Sequence, residues 1–221
     1  MAEKYGEIPK RFTKKWWEYF WDYYKVHTIV ILIVIISVVF TTYQAVTAPQ
    51  YEFNVFYAGE FDIPNENAEG LRLKMSEFVT DSDGDGKDGI KLNQISFVEG
   101  TEDPQIEYAM VTKMHLEITD ENSILYLIDD SKAKYFFDTG DLEGAFLEVD
   151  EWLFEDVSED KLYIKDERTY AVSLKDSKFL KDCGIDSENL YIAVRSHSDD
   201  VGEEMQEKIA DAKSIANAII K

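Results

Sequence analysis

Ser123–Ile128 reads SILYLI, a short and largely apolar run. An apolar run of this length is typical of a strand that is buried on both faces of a parallel sheet. Such a strand requires helices on both faces of its sheet. We therefore expect the neighbouring segments to alternate between strands and helices.

Two strand–helix units are predicted before this run. Phe53–Gly59 alternates as a first strand, Asn65–Val79 has the apolar spacing of a helix, and Ile90–Val98 is the predicted second strand. Asp103-Pro104 has the form of a helix start, with an N-cap residue followed by proline at the first helical position. The resulting β-α-β-α-β order predicts a parallel sheet with right-handed crossovers.

The segments after SILYLI complete the predicted domain. Lys161–Lys165 and Thr169–Leu174 are interpreted as a hairpin, Asn189–Arg195 as a further strand, and the last twenty residues as an amphipathic helix. The apolar stripe of that helix consists of Val201, Met205, Ile209, Ala212, Ile215 and Ile219. The prediction for residues 51–221 is therefore a single α/β domain with a mostly parallel, mixed sheet and a C-terminal amphipathic helix.

Val26–Tyr43 reads VHTIVILIVIISVVFTTY and carries no formal charge with His27 neutral. As a helix it would be about 27 Å long, which predicts a transmembrane span. Val46 and Ala48 could precede a signal-peptidase cut, but Pro49 would then follow the cut and block it. We interpret the span as an uncleaved anchor.

The flanks of the span predict its orientation. Residues 1–25 contain six Lys and Arg residues, whereas the predicted tether, residues 44–50, contains none. The positive-inside rule places residues 1–25 in the cytoplasm and residues 51–221 outside the cell membrane. An aromatic belt precedes the span and predicts an interfacial helix, with a docking site for a membrane partner as the second interpretation: Phe12, Trp16, Trp17, Tyr19, Phe20, Trp21, Tyr23 and Tyr24.

Charge is unevenly distributed between the two sides of the span. The chain has a net charge of −22, and residues 1–25 hold six bases and four acids, which leaves 17 bases and 41 acids for the remainder. A domain with this excess of acids repels phosphate backbones, so nucleic acid is not an expected partner. Cations and basic surfaces are more compatible partners for this domain. The alternative is that the charge only keeps an exposed domain soluble.

Asp81-Ser82-Asp83-Gly84-Asp85-Gly86 is the candidate metal-binding motif. Acids at positions 1, 3 and 5 with glycine at 6 can wrap oxygen ligands around calcium, as in an EF-hand loop. Position 12, normally a bidentate Glu, is Leu92 here. We therefore state calcium binding by Asp81, Asp83 and Asp85 as a hypothesis beside the alternative of a polar connector.

Catalytic signatures are weak in this sequence. His115 and His197 belong to no zinc motif, and the single cysteine, Cys183, has the apolar neighbours of a buried residue. No GxSxG, SxxK or Walker pattern occurs. The sequence therefore predicts a protein that is not an enzyme.

Residues 51–153 resemble the N-terminal lobe of type 2 solute-binding proteins of ABC importers. The likeness rests on the strand–helix order and on SILYLIDDSKAKYFF and DLEGAFLEVDEWL, with Leu125–Ile128 and Asp141-Leu142 in the places of family motifs. Tyr170–Leu180 resembles the return strand of the family. The whole chain also resembles single-pass proteins of Gram-positive gut bacteria that share a collar like Trp17–Lys25. A complete solute-binding protein has two lobes, and residues 51–221 have the length of one.

Three functions are compatible with these observations. The first is a membrane-anchored binding or interaction module without catalysis, accessory to a transporter or envelope complex and bound to a membrane-protein partner. The second is a tethered receptor for an unidentified small-molecule ligand. The third is an envelope hydrolase, which would require Ser, His and Asp to be clustered by the fold.

Overall fold

A computed structural model describes residues 9–47, 51–80, 89–100, 103–137, 145–154, 157–165, 168–198 and 200–221. The chain divides into two compact units, Met1–Pro49 and Gln50–Lys221. Each unit is described by itself.

The first unit is dominated by one helix, α1 (Lys14–Thr47), of 34 residues. It contains no buried residue, and its length and composition suffice to cross a membrane. The helix joins the aromatic belt to the predicted span without interruption and continues into the predicted tether as far as Thr47. No glycine or proline occurs between its ends, so nothing in the sequence favours a kink.

The second unit contains the other helices and strands that the structure describes. Its strands are β1 (Phe53–Gly59), β2 (Ile90–Ser96), β3 (Ser123–Asp129), β4 (Leu162–Lys165), β5 (Arg168–Ser173) and β6 (Leu190–Val194). Its helices are α2 (Asn65–Ser76), α3 (Pro104–Thr119), α4 (Asp130–Phe137), α5 (Lys178–Asp182) and α6 (Glu203–Ile220). Short 3₁₀ turns occupy Val149–Glu151 and Glu159–Lys161.

The described strands form one six-stranded sheet in the order β2-β1-β3-β6-β5-β4. β1 pairs in parallel with both β2 and β3. β6 is antiparallel to β3 and to β5, and β4 is antiparallel to β5. Consequently β1, β2, β3 and β5 all point in one direction, and the sheet is mixed around a parallel core.

Helices cover both faces of the sheet. Leu125 and Leu127 of β3 belong to the core that α2, α5 and α6 cover, whereas Tyr126 and Ile128 belong to the core that α3 and α4 cover. All residues of β3 from Ser123 to Ile128 are buried. This burial on both faces confirms the interpretation of SILYLI.

The α/β class, the β4–β5 hairpin and the final amphipathic helix are also confirmed. Asp103 caps α3 as predicted, because its side chain accepts a hydrogen bond from the Gln105 N–H at 2.8 Å. α2 ends at Ser76, three residues before the predicted end. Phe78 donates to the Met75 carbonyl, so the chain leaves α2 through tighter turns that have the same apolar pattern as a helix.

Candidate binding site at the carboxyl edge of the sheet

The order of the strands defines one edge of the sheet as the place where a site is expected. From β1 the chain crosses through α2 to β2 on one side, whereas from β3 it continues through α4 toward the other half of the sheet. The carboxyl ends of β1 and β3 therefore form a topological switch point. In open α/β sheets ligands bind at this point, where two connections diverge.

Asp129, the last residue of β3, joins the two segments that meet at this edge. Its Oδ2 accepts a hydrogen bond from the Glu60 N–H at 2.7 Å. Its Oδ1 accepts one from the Ser131 hydroxyl at 2.5 Å and one from the Lys132 N–H at 3.1 Å. Asp129 thus caps the start of α4 and, at the same time, fixes the chain that leaves β1.

Residues 59–63, which we call the β1 loop, are held at further points. The Tyr57 hydroxyl donates to the Phe61 carbonyl at 2.9 Å, and the Ile63 N–H donates to the Gln94 Oε1 at 2.9 Å. The Ser96 hydroxyl donates to the Asp62 Oδ1 at 2.6 Å. The β1 loop is therefore attached to β1, β2 and β3 by these bonds.

Gly59 lets the β1 loop pass close to Tyr57 and Asp129. A Cβ atom at Gly59 would lie 2.3 Å from the Tyr57 hydroxyl oxygen and 3.0 Å from the Asp129 Oδ2. Burial, followed by the negative charges of Asp129 and Asp62, raises the pKa of Tyr57 to about 12. The Tyr57 hydroxyl is protonated at physiological pH, as tyrosines ordinarily are, and the raised pKa extends its role as a donor to more alkaline conditions.

Phe61 projects from this fixed loop into solvent. Its side chain is 72% exposed, and the neighbouring Glu60 and Asp62 are exposed as well. Asp130, at the start of α4, adds a further exposed carboxylate to the same edge. The edge therefore presents one aromatic ring among exposed acids.

Lys132 lies beneath this edge and is fully buried. Its ammonium nitrogen is 4.0 Å from the centroid of the Phe97 ring and 3.8 Å from the Glu99 Oε1. Among the described residues no hydrogen-bond partner is found for this nitrogen. An ammonium group without a hydrogen bond is costly to bury. The cation–π contact with the ring and the attraction of the carboxylate offset this cost.

Glu99 connects the segment after β2 with α4. Lys134 donates to its Oε2 at 2.5 Å. Burial raises the pKa of the Glu99 carboxyl, but the hydrogen bond from Lys134 and the charges of Lys134 and Lys132 outweigh burial and hold that pKa below its usual value. Glu99 is therefore ionised at neutral pH and joins the ends of β2 and β3.

No family model, curated protein or solved structure matches the chain. The resemblance to a lobe of the solute-binding proteins therefore remains a prediction.

The predicted calcium ligands Asp81, Asp83 and Asp85 lie outside the described residues, so calcium binding remains a prediction. Within the described part of the chain, no group of three or more His, Cys, Asp or Glu residues is arranged to hold a metal ion. The ring nitrogens of His197 lie 3.2 and 3.3 Å from the carbonyl oxygens of Arg195 and Glu121. His197 is thus placed against backbone, and His115 is exposed on α3.

Sequence reasoning missed Phe61, Asp129 and Lys132. One signal for Asp129 was present, since the first polar residue after a buried parallel strand lies at the carboxyl edge. A weaker signal existed for Lys132, which lies four residues before the buried Phe136 on the same face of α4. Phe61 had no such signal, because its exposure depends on bonds from three strands.

Proposed function

We propose that the chain is a membrane-anchored binding module without catalysis, which binds a protein partner through the carboxyl edge of its sheet. α1 is the anchor, residues 1–25 lie in the cytoplasm, and residues 51–221 lie outside the cell membrane. Support for the anchor comes from the length and apolar composition of α1. Support for the orientation comes from the six bases that precede the span and from the absence of bases in residues 44–50, which follow it.

The observation that carries the proposal is the exposure of Phe61 on a fixed loop. Holding an aromatic side chain in water does not stabilise the fold. An aromatic residue on a fixed loop does, however, lose little conformational entropy when a partner covers it. Aromatic residues that fill a pocket of the partner dominate binding at many protein interfaces. The bonds from Asp129, Tyr57 and Ser96 supply the required rigidity.

The acids around Phe61 indicate the chemistry of the partner. Glu60, Asp62 and Asp130 are all exposed at this edge, and residues 51–221 as a whole are strongly acidic. A partner that offers an apolar pocket with a basic rim would match the ring and the carboxylates together. A membrane protein of a transporter or envelope complex is the setting that we propose for such a partner.

Phe61→Ala is expected to weaken partner binding at least about thirtyfold, which corresponds to about 2 kcal/mol, and to leave the free energy of unfolding within about 0.5 kcal/mol of wild type. A photo-crosslinking amino acid at position 61 of the full-length chain, irradiated in intact cells, identifies the partner. The affinity of the purified partner for the wild type and for Phe61→Ala is then measured by titration.

Phe154 provides the matched control. It is also an exposed phenylalanine, at 66%, but it lies near α6, where its N–H donates to Asn217. Crosslinker at position 154 should give no adduct, and Phe154→Ala should bind like wild type. Equal adducts from positions 61 and 154, or an unchanged affinity for Phe61→Ala, would refute the carboxyl edge as the binding surface.

A second candidate function, a tethered receptor for a small ligand, is favoured by the switch point at this edge. A ligand that binds only the native state stabilises it by about 2.7 kcal/mol at a hundred times its Kd. Thermal unfolding in the presence of a metabolite panel, with calcium and magnesium included, measures this stabilisation. Stabilisation by a metabolite that Asp62→Asn abolishes would favour the receptor over the protein-binding module.

A further inference from the structure

In the first turns of α1, aromatic and charged residues occupy different positions of a seven-residue (heptad) repeat. If Trp16 is position d, the five charged residues between Lys14 and Lys25 all occupy the outer positions b, c and f: Lys14, Lys15, Glu18, Asp22 and Lys25. Six of the seven aromatic residues in the same segment occupy positions a, d, e and g: Trp16, Trp17, Tyr19, Phe20, Tyr23 and Tyr24. Apolar residues at these heptad positions pack one helix against another.

The aromatic rings form a continuous surface. Trp16 and Phe20 stack with centroids 5.5 Å apart, and Phe20 and Tyr24 stack at 5.6 Å. Much of this surface is left uncovered by the chain itself, since Trp17 is 53% and Tyr24 is 47% exposed. A contiguous aromatic surface of this kind indicates a site of contact with an apolar neighbour.

A lipid bilayer cannot cover the whole surface. α1 is unbroken, and Trp16 lies ten residues before Val26, where the uncharged span begins. Ten helical residues correspond to about 15 Å, whereas the headgroup layer of one leaflet is about 5–8 Å thick. With the span in the hydrocarbon core, the first aromatic residues extend beyond the headgroups and need a protein neighbour.

The same heptad continues through the span. Its a and d positions after Tyr23 are His27, Val30, Val34, Ser37, Thr41 and Gln44. Ser37 and Thr41 are small, and residues of this size let transmembrane helices approach closely. The Thr41 hydroxyl donates to the Ser37 carbonyl at 2.8 Å within its own helix, which leaves the methyl group for packing.

We propose that α1 pairs in parallel with α1 of a second copy of this chain, along the a and d positions from Trp16 to Gln44. The inference rests on the proposed membrane anchoring but not on the partner of the carboxyl edge. Two anchored copies share one orientation and one depth, so each a and d residue meets its counterpart without an axial shift. No charged residue between Lys14 and Lys25 occupies an a, d, e or g position, so pairing brings no like charges together.

Disulfide formation between single cysteines tests the proposal in the full-length chain with Cys183→Ser. Trp16→Cys and Phe20→Cys place a thiol at positions d and a, whereas Glu18→Cys and Lys25→Cys place it at position f. After mild oxidation of membranes, the first two variants should give at least ten times more covalent dimer than the last two. Equal yields at all four positions, no dimer at any, or adducts of positions 16 and 20 with another protein would overturn the pairing.

Co-purification of two differently tagged copies without cysteine changes provides a second measurement. Phe20→Lys should reduce co-purification at least tenfold, and the matched Glu18→Lys should leave it unchanged. Equal effects of the two variants would contradict the heptad. Retention of each variant in membranes after alkaline extraction tests the anchor separately, so a failure of pairing is distinguishable from a failure of anchoring.

Discussion

Replacing Asp129 with alanine is expected to lower the free energy of unfolding of Gln50–Lys221 by about 3 kcal/mol. The substitution removes the acceptor for the Glu60 N–H, the Ser131 hydroxyl and the Lys132 N–H. Hydrogen bonds to an ionised acceptor contribute more than neutral ones, and loss of a helix cap alone costs about 1 kcal/mol. Urea unfolding followed by the fluorescence of Trp152, the single tryptophan of this unit, measures the change.

Asp130→Ala is the matched control for this prediction. Asp130 is the next residue and also an aspartate, but its side chain is exposed, and its contact with the Tyr191 hydroxyl is long at 3.5 Å. Its removal should cost less than about 1 kcal/mol. Equal losses for the two variants would show that Asp129 does not organise the edge.

Asp129→Ala also separates the effect of the rigidity of the β1 loop on binding from the effect of its exposed side chains. Asp129→Ala leaves Phe61 and its neighbouring acids in place but releases the Glu60 N–H. Partner affinity should therefore fall even at temperatures at which the variant remains folded, because ordering the loop becomes part of the cost of binding. Unchanged affinity in the folded variant would mean that preorganisation contributes little.

Trp152→Ala is expected to have the largest effect on stability, a loss of about 3–5 kcal/mol. Trp152 is only 1% exposed and belongs to the core beneath α2 and α6. Its carbonyl also accepts a hydrogen bond from the Asn217 side chain at 2.8 Å, so a shift of this residue disturbs α6 as well. Because domains of this size are stable by only about 5–15 kcal/mol, the midpoint of thermal unfolding by circular dichroism should fall sharply.

Trp152→Phe distinguishes the effect on stability of losing apolar volume from the effect of losing the indole N–H. The Trp152 Nε1 is buried, and no hydrogen-bond partner for it occurs among the described residues. Phenylalanine keeps much of the apolar volume and removes this donor, so the loss should stay below about 1.5 kcal/mol. A loss as large as that of Trp152→Ala would indicate that the indole N–H has a partner in the folded protein.

Local signals predicted much of the fold. Asp103-Pro104 marked the start of α3, and the apolar run at Ser123–Ile128 marked a strand buried on both faces. Both signals depend on neighbours in the sequence, which is why they could be interpreted without a structure. The insertion of β6 between β3 and β5 depends on pairing across distant segments and had no comparable signal.

The candidate site was harder to predict for the same reason. In the sequence Lys132 has the features of an ordinary surface lysine. It is buried because it contacts Phe97 and Glu99, which lie more than thirty residues earlier in the chain. Phe61 has the residue type of a core position, yet its ring is exposed on a loop whose backbone is held by the Tyr57 hydroxyl. In both cases residue type indicated the opposite of the observed burial, because long-range contacts determine it.

The position of β6 has a consequence for biosynthesis. β3 is almost wholly apolar, yet one of its two edges is paired only by β6, which follows about 60 residues later in the chain. At translation rates of about 5–20 residues per second, that edge waits about 3–12 s for its partner. During this interval the nascent chain exposes an unpaired apolar strand, the kind of surface on which chains aggregate and which chaperones bind.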